Sequence, residues 1–180
     1  MAQLYHNFEV DFKTYARLGQ NNCFPDYDSC PECHSKDRLS RHGFYWRYGV
    51  TGIITQRVPI CRYRCRNCKK TFSVLPSFFI PYFQHTLETV MDMIHEKLVN
   101  NKKKSYRQLV DFYVKRFFSQ LSWVHMCLAD WGNIIDFQEV HQQKTKAIKY
   151  MTMIRDFGES TFLRRSKGHL SSYFMAPPPS

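Results

Sequence analysis

The sequence predicts an α+β chain, a small β unit followed by a helical bundle. Three observations carry that expectation. Two C-x-x-C pairs, Cys30–Cys33 and Cys65–Cys68, bracket a stretch rich in β-branched and aromatic residues. After Tyr82 the apolar residues switch to the spacing of one helix face. Of the 180 residues, 43% are hydrophobic and 16% aromatic, enough to bury a core, which excludes a wholly disordered chain.

The elements follow in order. Residues 1–28 form an N-terminal segment with no clear period, closing on a loop marked by Asn21, Asn22, Pro25 and Asp26. Residues 29–82 read as the β unit. Phe44, Tyr45, Trp46 and Tyr48 precede Gly49-Val50-Thr51-Gly52, and Ile53, Ile54, Val58 and Ile60 follow, the pattern of a hairpin. Pro59 suits an edge or a bulge, because proline offers no N–H to a ladder. Residues 83–157 read as helical. Leu87, Val90, Met91, Ile94 and Leu98 share one helix face. Ser105-Tyr106-Arg107-Gln108 matches a capping box and opens a helix that buries Tyr106, Leu109, Val110 and Tyr113. A third helix runs from about Ser122 to Trp131 and stops at Gly132. Residues 134–156 read as a fourth, with Ile135, Val140, Ile148, Met151 and Ile154 apolar. Residues 158–180 lack a period, end in three prolines and a serine, and read as a flexible tail.

The cysteines carry the most specific signal. A C-x-x-C turn aims two thiolates at one ion, and two such turns supply four sulfurs in a tetrahedron. The 31 residues between Cys33 and Cys65 accommodate the hairpin. The expected cofactor is one structural Zn²⁺ per chain on Cys30, Cys33, Cys65 and Cys68, which makes the β unit a zinc ribbon. Iron in a rubredoxin-like site is the alternative metal. Four cysteines leave no coordination position open, so the site holds the fold and does no chemistry. Cys23, Cys61 and Cys127 have no paired partner and read as ordinary thiols. His34 directly follows a knuckle and reads as a positive-φ position rather than a ligand.

Charge points to the partner. The chain holds 26 Lys+Arg against 15 Asp+Glu, a formal net charge of +11. From Lys36 to Phe72 ten basic residues face the single acid Asp37, so that stretch alone carries +9. A lesser concentration from Asn101 to Arg116 holds six basic residues against Asp111. Cations that are not interleaved with acids favour a polyanion, and nucleic acid is the commonest. The candidate contacts are Arg41, Arg47, Arg57, Arg62, Arg64, Arg66, Lys69 and Lys70, then Lys102, Lys103, Lys104 and Arg107. Arg62 and Arg64 are two apart in the strand entering Cys65, so they project to one side and Tyr63 to the other. No run of 18 apolar residues predicts a membrane span, and Met1–Val10 lacks the pattern of a secretory signal. The expected compartment is cytoplasmic, where thiols serve as ligands rather than disulfides.

Three stretches, Cys30-Pro31-Glu32-Cys33-His34-Ser35, Arg41-His42-Gly43-Phe44-Tyr45 and Arg62-Tyr63-Arg64-Cys65-Arg66-Asn67-Cys68-Lys69-Lys70-Thr71-Phe72-Ser73, resemble the zinc ribbon at the N-terminus of bacterial insertion-sequence transposases. The resemblance covers about Ser29 to Tyr82. The helices after it resemble, more loosely, the helix-turn-helix that often follows. It implies binding to double-stranded DNA at the ends of an element, with a transposition protein as a further partner. In such a pair the second helix enters the major groove. Leu121, Val124 and Leu128 would face the core, Gln120 would read adenine, and Ser119 and Ser122 would reach phosphate. The sequence departs from the family at His34 and Lys69, where the knuckles usually carry glycine. The nuclease domain with its spaced carboxylates does not occur in these 180 residues.

No Walker loop, dinucleotide fingerprint or nucleophile elbow is present. Glu88, Asp92 and Glu96 share one helix face and read as a solvated surface. The expectation is therefore a DNA-binding, non-enzymatic protein with no catalytic residue, acting as a regulator, accessory subunit or remnant. Two other readings stay open. One is a zinc-ribbon adaptor for a protein such as polymerase or a separate transposase, with Trp123, Trp131, Phe117 and Phe118 as exposed anchors. The other is RNA binding, with Tyr45, Trp46, Tyr48 and Tyr63 stacking on unpaired bases.

Overall fold

The computed structural model describes residues 2–100, 106–132, 142–166 and 174–175. The chain divides into two compact units, Met1–His85 and Thr86–Ser180. The architecture is α+β, and every strand among the described residues lies in the first unit.

In the first unit β1 (Ala2–His6) and α1 (Phe12–Leu18) precede three strands, β2 (Ser40–Val50), β3 (Thr55–Arg64) and β4 (Thr71–Pro76). They form one sheet in the order β1-β4-β3-β2. The β2–β3 and β3–β4 pairs are antiparallel, whereas β1 runs parallel to β4, from Ala2 opposite Phe72 to His6 opposite Pro76. The predicted hairpin is present. Its turn is closed by the Thr51 hydroxyl, which accepts from the N–H groups of Ile53 and Ile54 at 3.2 and 3.0 Å, rather than by a positive-φ Gly52. Pro59 pairs with Trp46 on one side and lies before the stretch of β3 that meets β4, Cys61–Arg64. It therefore occupies a local edge, where a missing N–H costs no ladder bond. The Tyr15 hydroxyl donates to its carbonyl at 2.8 Å.

Two glycines are needed where they stand. Gly43, at φ 95, sits where the β2–β3 register shifts between Arg41 and Phe44, the place for a residue without Cβ in a bulge. Gly49 lies inside β2. A Cβ there would fall 2.6 Å from Phe79 Cζ and nearer still to the Phe12 ring. The strand thus leaves room for the aromatic rings that fill the core with Tyr15, Phe24, Ile60, Tyr63, Phe72 and Leu75.

The expected boundary at residue 28 does not exist. Residues 1–28 belong to the same unit as the ribbon, because β1 completes the sheet and α1 covers it with buried Phe12 and Tyr15. The helix, which the sequence reading did not predict, is capped by the Asp11 carboxylate accepting from Thr14 N–H at 2.7 Å and stops at Gly19 with φ 56.

The second unit is helical. Thr86 caps α2 (Leu87–His95), accepting from Thr89 N–H at 3.4 Å. The helix continues through a π turn at Glu96–Asn100, and Leu87, Val90, Met91, Ile94 and Leu98 are buried as the spacing predicts. Helix α3 (Arg107–Phe118) starts after Tyr106 without a side-chain cap; Ser105 lies outside the described residues. Val110, Tyr113 and Phe117 form its buried face, while Leu109 is half-buried and Tyr106 is 65% exposed, one turn too early to reach the core. Helix α4 (Leu121–Asp130) buries Leu121, Trp123, Val124, Cys127 and Leu128 and ends before Gly132 at φ 82. Of the predicted fourth helix, α5 (Gln143–Phe157) is described, and Ile135 and Val140 lie outside. Met151 and Ile154 are buried as predicted; Ala147 and Tyr150 take the inward positions beside half-buried Ile148.

The predicted flexible tail is corrected for residues 158–166. Gly158 turns the chain at φ 88 and α6 (Glu159–Ser166) follows, with Phe162 and Leu163 fully buried. Phe174 and Met175 are buried too. The Phe174 ring stacks on Trp123 at 5.6 Å and meets Phe162 edge-on at 5.1 Å. Eight residues are too few to display a helical period, so two apolar side chains decided the matter unseen. The remaining tail residues lie outside the described set.

Candidate metal centre

The two C-x-x-C pairs become two knuckles with the same backbone plan. In the first, Cys30 N–H donates to Ser35 O at 3.0 Å; in the second, Cys65 N–H donates to Lys70 O at 3.0 Å. Each closes on the residue five ahead. In each the residue after the second cysteine is left-handed, His34 at φ 56 and Lys69 at φ 61. His34 is therefore a turn residue, as its place in the sequence suggests, and Lys69 shares the role.

The turns bring four sulfurs together. All four Sγ atoms lie within 4.8 Å of one another. Cys30 Sγ stands 3.7 Å from Cys68 Sγ, and Cys33 Sγ stands 3.8 Å from Cys65 Sγ. A tetrahedral ion with metal–sulfur bonds of ~2.3 Å has S···S edges of about 3.8 Å. A disulfide would need about 2.0 Å. The spacing is that of ligands sharing an ion, and each facing pair joins one knuckle to the other. Among the described residues no other group of three or more His, Cys, Asp or Glu side chains could hold a metal.

Hydrogen bonds support the thiolates. The Ser35 N–H holds the Cys33 thiol well below its usual range, down to about 6, with help from the Ser35 hydroxyl. The Cys68 N–H lowers Cys65 in the same way. Although the Lys70 N–H pulls Cys68 down, burial and the neighbouring thiols push it up to about 11. Four sulfurs this close resist ionising together until a cation neutralises them. Side chains also cross between knuckles. Ser35 Oγ lies 3.7 Å from Cys65 Sγ, and Asn67 Nδ2 donates to Cys33 Sγ at 3.8 Å. These two residues escaped the sequence reading; their positions two after Cys33 and two after Cys65 were the available signal. The expectation for the other thiols holds. Cys61 and Cys127 are buried away from the cluster, burial raising both, and Cys23 is exposed.

The predicted cations divide into free and engaged. Arg57, Arg64, Arg66 and Lys69 are exposed, and Arg62 is half-buried on the side opposite fully buried Tyr63, as strand alternation predicts. Arg38, Arg41, Arg66 and Ser40 line an open groove with Asp26 and Asp37 on its rim. Arg38, which the sequence reading passed over, pairs with Asp26 there, and Arg41 donates to Phe24 O at 3.2 Å. Lys70 is paired with Glu32, tying one knuckle to the other. Arg47 is a correction. Its guanidinium stacks on the Phe79 ring at 4.4 Å and donates to Phe83 O, and burial lowers its pKa. It is a strut of the fold and not a surface cation.

In the helical unit, Lys102, Lys103 and Lys104 lie outside the described residues. Arg107 is 3.7 Å from Asp111 one turn on. Ser122 is exposed, but Gln120 Oε1 accepts from Met175 N–H at 2.7 Å, so its amide is engaged in holding the chain near Phe174. Ser119 Oγ donates back to Arg116 O at 2.8 Å. Phe117 and Trp123 are buried, which removes two of the four anchors expected of a protein adaptor. Among the described residues, no helix is long and apolar enough to cross a membrane.

No curated protein and no solved structure matches the chain. Residues 30–111, which include all four clustered cysteines, match a family described as Domain of unknown function (DUF6431), and over that stretch the chain is similar to it.

Proposed function

We propose that this protein binds double-stranded DNA through its N-terminal unit, with one structural Zn²⁺ on Cys30, Cys33, Cys65 and Cys68. Zinc is favoured because four thiolates in a closed tetrahedron are its usual structural site. The observation that carries the DNA reading is the set of exposed cations around the knuckles. Among the described residues, no ion pair engages Arg64, Arg66 or Lys69. A Zn²⁺ with four thiolates carries a net charge of about −2, which these side chains partly balance while still facing water. The resemblance to transposase ribbons agrees with this reading and suggests a regulator, an accessory subunit or a remnant that meets a separate transposition protein. Ser122 and the basic residues at 102–104 and 107 would extend the contact in the helical unit.

The test has two parts. Elemental analysis of freshly purified protein should find one zinc per chain. Binding to a blunt DNA duplex, titrated at several salt concentrations, should weaken steeply with salt. Arg64→Ala together with Arg66→Ala should reduce the slope of log K against log salt by about two while zinc content stays the same. An unchanged slope would exclude these arginines from the phosphates.

A further inference from the structure

A groove of 490 Å³ in the N-terminal unit is lined by Gln3, Tyr45, Arg47, Tyr48, Tyr82 and Gln84. Its size falls in the range of ligand sites, about 300–1,000 Å³. Arg47, locked onto Phe79 and Phe83, makes a fixed wall. The two tyrosines on its rim are not core residues. Tyr48 is 51% exposed and Tyr82 is 59% exposed.

Tyr82 has a second peculiarity. Its φ is 68, the left-handed region that a bulky side chain rarely enters. The segments on either side hold it there. Phe83 N–H donates to Ile80 O at 3.2 Å, and Val50 N–H donates to Gln84 O at 2.9 Å, tying the turn to the end of β2. The chain therefore spends backbone strain to keep an aromatic ring in water, a combination that marks ligand sites. Across the hairpin from Tyr48 stands Arg57, its guanidinium 5.8 Å from the ring centroid. Gln84 is exposed, and its amide offers a donor and an acceptor side by side.

Exposed rings, a guanidinium and an amide are the parts that recognise an unpaired nucleotide: a stack on the base, a charge on the phosphate and a polar edge for the base edge. We infer that this groove is a stacking site for an unpaired nucleotide, with Tyr82 and Tyr48 as platforms, Gln84 at the base edge and Arg57 at the phosphate. The inference rests on the DNA reading above and narrows its ligand to a duplex with a single-stranded flank. It also relocates the stacking surface expected from sequence. Tyr63 is fully buried with its hydroxyl on Pro25 O, and Tyr82 takes its place.

The experiment compares a blunt DNA duplex with the same duplex bearing a short overhang that contains 2-aminopurine. The protein should bind the overhang duplex about tenfold more tightly or better and quench the 2-aminopurine, as one stacked base warrants. Tyr82→Gly should abolish both the preference and the quench. It should leave blunt-duplex affinity intact and the melting temperature equal or higher, because glycine relaxes the left-handed turn. Tyr82→Phe, which keeps the ring, should behave as the native protein. Equal binding of both duplexes by the native protein would overturn the stacking site and leave the DNA reading standing. A Tyr82→Phe variant as impaired as Tyr82→Gly would overturn the role of the ring. Failure to bind either duplex would overturn the DNA reading, and the stacking site with it.

Discussion

The two units solve the same problem of burial in different ways. The N-terminal unit joins its β2–β3 hairpin to the chain on either side through two knuckles whose inner faces are sulfur, and its basic residues crowd around that centre. The C-terminal unit has no such cluster among its described residues and relies on rings: Trp123, Phe162, Phe174 and Phe117 meet at centroid distances between 5.1 and 6.2 Å. The first unit adds to its own aromatic core a four-sulfur centre placed to hold an ion, whereas the described residues of the second rely on packed side chains. The difference teaches that stability and charge need not be spread evenly. The segment carrying most of the net charge is the one whose cysteines are placed to hold an ion.

The sharpest way to break this comparison is to remove the ion. Cys65→Ser, or exposure to a strong chelator, should unfold the ribbon and open both knuckles to protease, because ligand binding and folding are one equilibrium in small metal centres. The helical signal of the C-terminal unit should persist. Far-ultraviolet circular dichroism combined with limited proteolysis would check this, and simultaneous collapse of both units would show that they are not independent.

The reciprocal change is Phe162→Ala. The ring is fully buried among aromatic partners, so its loss should cost about 3–5 kcal/mol in the C-terminal unit. Zinc content should not change. A chemical denaturation curve followed by tryptophan fluorescence would give the size of the effect.

A subtler contrast lies in pH. In the N-terminal unit acid opposes the metal, since protons compete for the four thiolates; affinity should fall as pH drops. In the C-terminal unit acid should help. Burial, with Glu88 and Asp92 nearby, raises Glu159 to about 7 despite Arg155 at 3.8 Å. Between the usual carboxylate value of 4.5 and that point, the folded unit holds a proton that the unfolded chain has released. Stability therefore falls as pH rises through this window, by on the order of 1–2 kcal/mol once partial exposure is allowed for. Glu159→Gln should flatten the dependence. Thermal melts at pH 5 and pH 8 of native protein and variant would measure it; a slope unchanged by the substitution would assign it elsewhere.

Some of this architecture was legible in the sequence and some was not, for physical reasons. The four ligands could be read because a tetrahedron demands fixed spacing. Residues 87–98 could be read because a long amphipathic helix repeats its pattern three times. The short elements could not. β1 is five residues long with Gln3 buried and Leu4 and Tyr5 half-buried, so no alternation shows, and its partner lies in β4. Helix α6 shows too little of its period. Arg47 looked like its neighbours until the fold placed Phe79 beneath it. Tyr82 is the extreme case, since nothing in a tyrosine's identity announces a left-handed backbone.

The parallel pairing of β1 with β4 also sets an order of events during synthesis. Ala2 leaves the ribosome long before Phe72, its partner in the register. In that interval the first strand has no edge to join, and pairing between residues so far apart in sequence is slow. β1 must therefore wait unpaired until the hairpin and the second knuckle have emerged. A supply of metal at that moment would close the ribbon and offer β4 as a template. If the cluster takes up an ion as proposed, scarcity would prolong the time β1 spends unpaired, and the supply of metal during folding would bear on how much protein is recovered intact.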